Sequence, residues 1–196
     1  MTHEHDIAPD QIDADQIDAG RISTGQLAED PACAVAHGAP APAIATRTLI
    51  AVFASPVAEF LLHFGSDCGF RAILLEPGAE RAAAARTAGA QVTASFDVLD
   101  PSADVVVTDH QRPELGTVLR DLLAGKARWI GVMGNPRHPA PYIPALRELG
   151  VGEEDINRVH RPVGLNIGSR TPPEIAVATL AGLIADRNAR PGGFTF

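Results

Sequence analysis

The sequence predicts an α/β protein built on a doubly wound, mostly parallel β-sheet with helices on both faces. Two observations carry this prediction. Short apolar segments recur from residue 48 onward, and each is followed by a segment of helical character. Strands that are apolar throughout are typical of a parallel sheet covered on both faces, and right-handed crossovers between them lead to a doubly wound sheet.

The elements can be assigned in order along the chain. Apolar and β-branched residues predict strands, of which the third is the shortest, at residues 48–54, 70–76, 91–95, 103–108 and 128–133. Helices are predicted at residues 56–68, 79–88, 113–123, 139–149, 153–159 and 172–188. The last helix carries Ile175, Val177, Leu180, Leu183 and Ile184, so we expect it to be buried against the sheet.

The first 47 residues differ in composition from the rest of the chain. They hold eight carboxylates against two arginines, repeat the pentapeptide DQIDA at residues 10–14 and 15–19, and continue into an Ala/Pro-rich stretch. Low hydrophobicity and like charge leave too little apolar surface to offset the ordering entropy. We therefore expect residues 1–47 to be a disordered tail ahead of a domain at residues 48–196. A short acidic helix that docks on a partner is the alternative interpretation of the repeat.

Composition excludes several classes of protein. The net charge is −8, so a basic surface for nucleic acid is not expected. No apolar run approaches the roughly 20 residues of a membrane-spanning helix, and no secretory signal opens the chain. The two cysteines, Cys33 and Cys68, have no metal-ligand spacing and cannot form a disulfide framework. These features predict a cytoplasmic protein without a metal site.

Ligands of doubly wound sheets bind outside the carboxyl ends of the strands, so the turn after the first strand is the first candidate position for a ligand. It reads Ala54, Ser55, Pro56 and contains no glycine. A dinucleotide site needs glycines there for close approach of the backbone to a pyrophosphate, whereas Ser-Pro starts a helix. We therefore do not expect NAD(P) to bind. Glu76 lies about where a dinucleotide-binding domain has the acid that binds the ribose. Without the glycine turn, we interpret it as a solvated carboxylate at a strand end.

The ends of the fourth and fifth strands carry polar side chains. Thr108, Asp109 and His110 follow the fourth strand, and the Asp-His pair either orients an imidazole for proton transfer or belongs to an ordinary polar loop. The fifth strand is followed by residues that can contact an anion or a polar ring: Gly134, Asn135, Arg137 and His138.

The loop of residues 160–170 precedes the last helix. Thr171 and Glu174 have the spacing of a capping box, with two prolines between them. An anion would therefore be held by the amides of Gly168 and Ser169 and by the guanidinium of Arg170. A rigid start to the helix is the alternative, but the glycines and the arginine exceed what a helix start needs. The candidate ligand-binding residues of this loop are Gly164, Asn166, Gly168, Ser169 and Arg170.

Four segments, taken together, resemble a known family. They are VVVTDH at residues 105–110, ARWIGVMGN at 127–135, RELGV at 147–151 and HRPVGLNIGSRTPPEIA at 160–176. In this order they are similar to the C-terminal Rossmann-like domain of the xanthine dehydrogenase accessory family (XdhC/CoxI). The likeness is specific from about residue 103 to 184 and weaker back to residue 48. The chain departs from the family at the turn after the first strand, and it has Asn135 where serine is usual and Asn166 where aspartate is usual. The family's N-terminal domain has no counterpart in residues 1–47.

The resemblance implies a non-catalytic accessory protein, or chaperone, for a molybdenum hydroxylase. It would bind the molybdenum cofactor, or the client enzyme, through the loops after the fourth and fifth strands and the loop that ends at Arg170. Arg170 and the amides of Gly168 and Ser169 would hold phosphate, and Asn135 and Asn166 would face the pterin. Catalytic residues are not implied, and a homodimer is left open. An NAD(P)-dependent oxidoreductase and a ligand-free interaction module remain as alternatives.

Overall fold

The structure is a computed structural model that describes residues 31–40, 46–135 and 137–193. It divides into two units, residues 1–44 and 45–196. In the described part of the first unit, Pro31–Ala36 form a helix, α1, within the stretch for which composition predicts no regular structure. Residues 1–30 and 41–45 of the predicted tail lie outside the described residues.

The second unit is built on a parallel sheet. Its strands are β1 (Arg47–Val52), β2 (Phe70–Leu75), β3 (Val92–Thr93), β4 (Asp104–Val107), β5 (Trp129–Val132) and β6 (Val159–His160). They lie in the order β3-β2-β1-β4-β5-β6, and neighbouring strands run parallel. The predicted doubly wound sheet is confirmed.

Strand β6 corrects the prediction. The sequence predicts a helix over residues 153–159, but that helix ends at Ile156, and Val159 and His160 pair with Ile130 and Gly131 of β5. Arg158 and His160 flank Val159, so this segment has no apolar run that predicts a strand.

The helices agree with the prediction to within three residues at either end, and the largest differences are the later start of α5 and the earlier end of α6. The helices are α2 (Pro56–Asp67), α3 (Ala79–Thr87), α4 (Leu115–Ala124), α5 (Tyr142–Glu148), α6 (Glu153–Ile156) and α7 (Pro172–Arg187). Helix α2 begins as Ser55 and Pro56 predict, because the Ser55 hydroxyl accepts the Ala58 amide at 3.0 Å and proline occupies the first turn.

Two apolar cores cover the faces of the sheet. On one face, Val105 and Val107 of β4 belong to the core that includes Leu119 of α4 and Leu146 of α5. The opposite core joins the sheet to α2 and α7. Helices on both faces explain why the strands are apolar along their whole length.

Helix α7 is buried on one side only. Ala176, Leu180 and Leu183 are buried in the second core, whereas Val177 is 50% exposed. The expectation that Val177 packs against the sheet is wrong, because Val177 lies beside Ala176 in sequence and successive helical positions point about 100° apart.

A buried ion-pair cluster closes the amino edge of the sheet. Asp104, at the start of β4, is fully buried and lies 2.6 Å from Arg128 and 2.6 Å from Arg187 of α7. The Arg187 guanidinium also lies 4.0 Å from the centre of the Phe70 ring. Burial lowers the pKa of Arg187, and the Asp104 carboxylate opposes that effect. This cluster attaches the end of α7 to the sheet and leaves the opposite edge to the loops.

Within the residues that the structure describes, no helix is both long enough and apolar enough to cross a membrane.

Candidate functional site

The loops that hold the predicted site residues all lie at the carboxyl edge of the sheet, because every strand runs in the same direction. The connections lead away from β1 on one side to β2 and β3, and on the other side to β4, β5 and β6. The order of strands therefore reverses between β1 and β4. This crevice is where open α/β sheets bind their ligands.

The start of α2 is occupied by a carboxylate of the protein itself. Glu76, at the end of β2, is fully buried. Its carboxylate accepts the amide of Ala54 at 2.8 Å and the amide of Gly78 at 2.8 Å. The interpretation of Glu76 as a solvated carboxylate is therefore wrong. The turn after β1 folds over the side chain and removes it from water, which sequence spacing alone does not reveal.

Two arginines neutralise Glu76 and fill the crevice between β1 and β4. Arg81 of α3 lies 3.1 Å from Glu76 and 3.0 Å from Glu114. Arg112, which follows β4, lies 3.6 Å from Glu76 and donates to the Ala54 carbonyl at 3.3 Å. Its side chain is only 16% exposed. The usual ligand position of the fold is thus closed by a network of the protein's own ion pairs.

Phe53, in the turn after β1, has a backbone conformation that is more usual for glycine. Its φ is +71°, in the left-handed region that disfavours side chains, and the residue is fully buried. The Arg112 guanidinium lies 5.5 Å from the centre of the Phe53 ring. A side chain at this position therefore packs beneath the ion-pair network where a glycine would leave space for a ligand.

The residues after β4 have separate roles. Thr108 is buried, and its hydroxyl donates to the Val52 and Phe53 carbonyls at 3.1 and 3.0 Å, which joins β4 to the turn after β1. Asp109 pairs with Arg112 at 2.9 Å and accepts the Gln111 amide. The Asp109 carboxylate is thus engaged with Arg112, which does not support its pairing with the imidazole of His110.

The loop after β5 is held in place by an arginine from the loop after β6. Arg161 donates to the carbonyl of Asn135 at 2.6 Å and to that of His138 at 3.1 Å. A Cβ at Gly134 would lie 2.9 Å from the Arg161 guanidinium, so glycine allows the arginine to lie against the loop. Arg137 is exposed, and its amide donates to the Asn135 side chain at 2.9 Å. The loops after β5 and β6 are therefore one structural unit.

The loop after β6 divides into a packed half and an exposed half. Gly164 packs on α7, since a Cβ there would lie 2.8 Å from the Thr179 amide. Asn166, Gly168 and Arg170 are exposed and Ser169 is half-buried. Gly164 is thus placed by packing, and the other predicted residues remain accessible to a ligand.

The amino end of α7 is capped by Glu174. Its carboxylate accepts the amides of Arg170 at 2.7 Å and Thr171 at 3.1 Å, as the capping-box spacing predicts. These two hydrogen bonds, that from Arg170 first, lower the pKa of Glu174 below its usual 4.5. Pro172 and Pro173 have no amide hydrogen to offer. The helix end itself is therefore unavailable to an anion, whereas the Arg170 side chain beside it is exposed.

A cleft of about 580 Å³ opens between the loops after β4 and β5. His110 and His138, from the two loops, both line it, and Gly116 and Ala145 contribute from the facing helices α4 and α5. A wider groove of about 780 Å³ lies between α2 and α3. None of the site residues predicted from the sequence lines that groove, whereas His110 lines the cleft, so we place the candidate site at the cleft and the adjoining loops.

Three residues that organise this edge were not predicted to do so: Glu76, Arg112 and Arg161. Arg112 lies five residues after the end of β4 and Arg161 directly follows β6, and this position after a strand is the one signal that could have singled them out. The part of the chain that the structure describes contains no cluster of three or more metal-ligating side chains.

Comparisons with known proteins agree with this architecture. A family model described as the XdhC Rossmann domain matches residues 49–183. Over 109 residues the chain is 38% identical to the uncharacterized protein YqeB of Escherichia coli, covering 56% of this chain and 19% of that protein. Over 97 residues it is 29% identical to a probable xanthine dehydrogenase subunit of Bacillus subtilis, covering 50% of this chain and 27% of that protein.

A solved structure shares the fold. The crystal structure of a xanthine dehydrogenase from Bacillus halodurans matches with a TM-score of 0.58 at 23% identity, covering 76% of this chain and 45% of that one. The aligned part of the chain thus corresponds to about a fifth to a quarter of the curated relatives, and to less than half of the solved structure.

Proposed function

Since the chain belongs to the family of XdhC Rossmann domains, we propose that it is an accessory protein of a molybdenum hydroxylase of the xanthine dehydrogenase type. Its role is to bind the molybdenum cofactor, in the cytoplasm, for delivery to the client enzyme. The family match carries this proposal, because residues 49–183 include the loops after β4 and β5 and the whole loop after β6, with most of the helix that follows it.

The charges at the carboxyl edge support an anionic cargo. Among the described residues, Arg137, Arg161 and Arg170 have no carboxylate within 4.0 Å, whereas Arg81 and Arg112 are neutralised by Glu76 and its neighbours. Arginines without a carboxylate partner, in a chain of net charge −8, support a local site for an anion. The pterin part of the molybdenum cofactor carries a phosphate, so these residues fit it.

The exposed residues suggest how the cargo is held. The guanidinium of Arg170 and the amides of Gly168 and Ser169 contact the phosphate, and the side-chain amides of Asn135 and Asn166 face the pterin edge. The molybdenum of the bound cofactor supplies redox chemistry to the client enzyme. This chain only binds and orients the cofactor and adds no catalytic group.

A nicotinamide-dependent oxidoreductase is the alternative that the fold allows. The burial of Glu76 against the Ala54 amide argues against it, because the same amide would have to reach a pyrophosphate. A ligand-free interaction module is the other alternative. Both alternatives can be distinguished from cofactor binding by the molecule that stays bound to the protein during purification.

Native mass spectrometry of the protein purified from molybdenum-replete cells tests the proposal. We expect a retained pterin phosphate in the wild-type protein and its loss in Arg170→Ala. The matched control is Arg120→Ala, which removes an exposed arginine of α4 that pairs with Asp121. Absence of any pterin, combined with co-purification of a hydroxylase, would support the interaction module instead. A retained dinucleotide would support the oxidoreductase.

A further inference from the structure

Among the described residues of the second unit, two large hydrophobic side chains stay exposed on the adjacent helices α2 and α7. Phe60 of α2 is 37% exposed, and Val177 of α7 is 50% exposed. The two helices pack on each other, and each of these residues lies in the second turn of its helix. Exposed apolar residues indicate an interaction site only where they form a patch, so their positions on the two helices are decisive.

Phe60 and Val177 belong to one apolar surface. The side of α2 that faces α3 lines the groove between these helices, with Ala58, Glu59, Leu62, His63 and Ser66. Phe60 and Phe64 therefore face away from α3, toward α7, and the centres of their rings lie 5.8 Å apart. On α7, Asp186 lines a pocket on the side of the loop after β6, so Val177 and Ile184 lie on the side of α2. These four apolar residues form what we call the α2–α7 seam.

The exposed charges of the two helices are acidic. Helix α2 contains no lysine or arginine, and its two carboxylates, Glu59 and Asp67, are exposed. Helix α7 contains one basic residue, Arg187, whose side chain is 7% exposed and paired with Asp104. Glu174, by contrast, is exposed on the same helix. The α2–α7 seam is therefore an apolar surface with acidic surroundings.

An apolar surface with acidic surroundings favours a basic partner. A second copy of the chain would bring the same acids and a net charge of −8, and nucleic acid or an anionic membrane surface would also be repelled. A helix with an apolar stripe flanked by lysine or arginine would cover Phe60 and Val177. Its basic residues would lie near Glu59 and Asp67, because Arg170, which precedes α7, favours their placement toward α2.

We propose that the α2–α7 seam docks a basic amphipathic helix of a partner protein. The identification of that partner as the client enzyme rests on the proposed function, whereas the chemistry of the partner does not. Both helices begin at the carboxyl edge of the sheet, since each follows a strand that ends there. A client that docks on the seam therefore lies beside the loops that hold the cofactor.

A labelled peptide of leucine and lysine, patterned so that the leucines form one face of a helix, is the probe. Fluorescence anisotropy should show saturable binding that weakens as the salt concentration rises, because part of the attraction is ionic. A scrambled peptide of the same composition lacks the apolar face, and a leucine–glutamate peptide has the face with the opposite charge. Each should bind more weakly by about tenfold.

Variants test the assigned surface. Phe60→Ser and Val177→Ser should each weaken peptide binding by about threefold to tenfold, because each removes apolar area that the complex buries. Leu149→Ser is the matched control, since Leu149 is 38% exposed at the end of α5 on the opposite face of the sheet, and it should bind normally. Glu59→Gln should also weaken binding, whereas Glu154→Gln, the same change of charge on α6, should not.

Thermal midpoints close to wild type will show that the variants are folded. Equal binding by the wild type and both serine variants would overturn the inference, as would tighter binding of the leucine–glutamate peptide. A wild-type dimer that Val177→Ser converts to a monomer in sedimentation would also overturn it, because a second copy would then cover the seam.

Native mass spectrometry separates this inference from the proposed function. The serine variants should still retain a pterin, since neither Phe60 nor Val177 belongs to the cofactor loops. A wild-type protein that retains a pterin but binds no peptide would overturn the docking surface and leave the proposed function standing. Peptide binding without any retained pterin would overturn the cofactor role and leave the docking surface standing.

Discussion

The carboxylate of Glu76 accepts a hydrogen bond from the backbone amide of Ala54 at 2.8 Å. In dinucleotide-binding sheets, a phosphate of the ligand approaches the backbone at this turn. Here Pro56 has no amide hydrogen, and the Ala58 amide is bonded to Ser55. The Ala54 and Ala58 amides at the start of α2 are therefore already bonded within the protein.

This arrangement predicts negligible affinity for NAD and NADP. Binding would require the dinucleotide to displace a buried carboxylate that two arginines hold in place. Isothermal titration calorimetry with the oxidised and reduced forms of both nucleotides should give no saturable heat. A micromolar dissociation constant for any of them would contradict the prediction and favour the oxidoreductase.

Replacement of Glu76 by alanine should destabilise the domain. The variant leaves Arg112, whose side chain is 16% exposed, without one of its two counterions and frees two amides. We expect the free energy of unfolding to fall by about 3 kcal/mol, as when one partner of a buried ion pair is removed. Glu80→Ala, on the exposed side of α3, is the control and should change stability little. Urea denaturation measures the free energy of unfolding of both variants. If Glu76→Ala were as stable as the wild type, the ion-pair network would contribute nothing to stability.

The order of strands and helices follows from the sequence because each long element leaves a clear pattern. The apolar runs that form β1, β2 and β4 are largely buried, and Ser55 and Pro56 start α2 as predicted. Strand β6 was not predictable, since Arg158 and His160 flank its single apolar residue, Val159, and its pairing with β5 is set by the fold. The resemblance to the xanthine dehydrogenase accessory family is confirmed by the family match.

The candidate site was only partly predictable. Strand ends locate Thr108 and Gly134 in the right loops, because parallel strands end at one edge. Glu76 pairs with Arg112, which lies 36 residues from it in sequence and reaches it only in the folded state. Long-range ion pairs of this kind leave no local pattern.

Gly164 and Gly168 should respond differently to alanine. Both have positive φ, at +86° and +69°, so alanine costs about 1 kcal/mol of backbone strain at either position. At Gly164 the new Cβ would also lie 2.8 to 2.9 Å from the backbone of α7, which adds about 1–3 kcal/mol of overpacking. At Gly168 nothing lies within 4 Å. The midpoint of thermal unfolding should therefore be clearly lower for Gly164→Ala than for Gly168→Ala. The reverse order would contradict the packing of the loop on α7.

Glu174 should make stability depend on pH in the acid range. Its pKa is lowered in the folded protein by the amides of Arg170 and Thr171, so the carboxylate contributes stability above its usual pKa of 4.5. That contribution is lost as the pH falls below 4.5 and the group becomes protonated in the folded state. The difference in midpoint between wild type and Glu174→Gln should be present at neutral pH and should shrink in acid. A difference that is constant with pH would contradict the capping role.

Arg170 and Glu174 adjoin each other at the start of α7 but should separate binding from stability. Only the backbone amide of Arg170 takes part in the cap, at 2.7 Å from the Glu174 carboxylate, and its side chain is exposed. Arg170→Ala should therefore leave the thermal midpoint almost unchanged while it weakens binding of the pterin phosphate by about tenfold to a hundredfold, the effect of one charge-assisted contact. Glu174→Gln should do the opposite, because it weakens the cap and leaves the guanidinium in place. Fluorescence titration with the pterin and a thermal melt measure the two effects. If Arg170→Ala lowered the midpoint and bound the pterin normally, Arg170 would be a structural residue and the assignment of this loop to the cargo would be wrong.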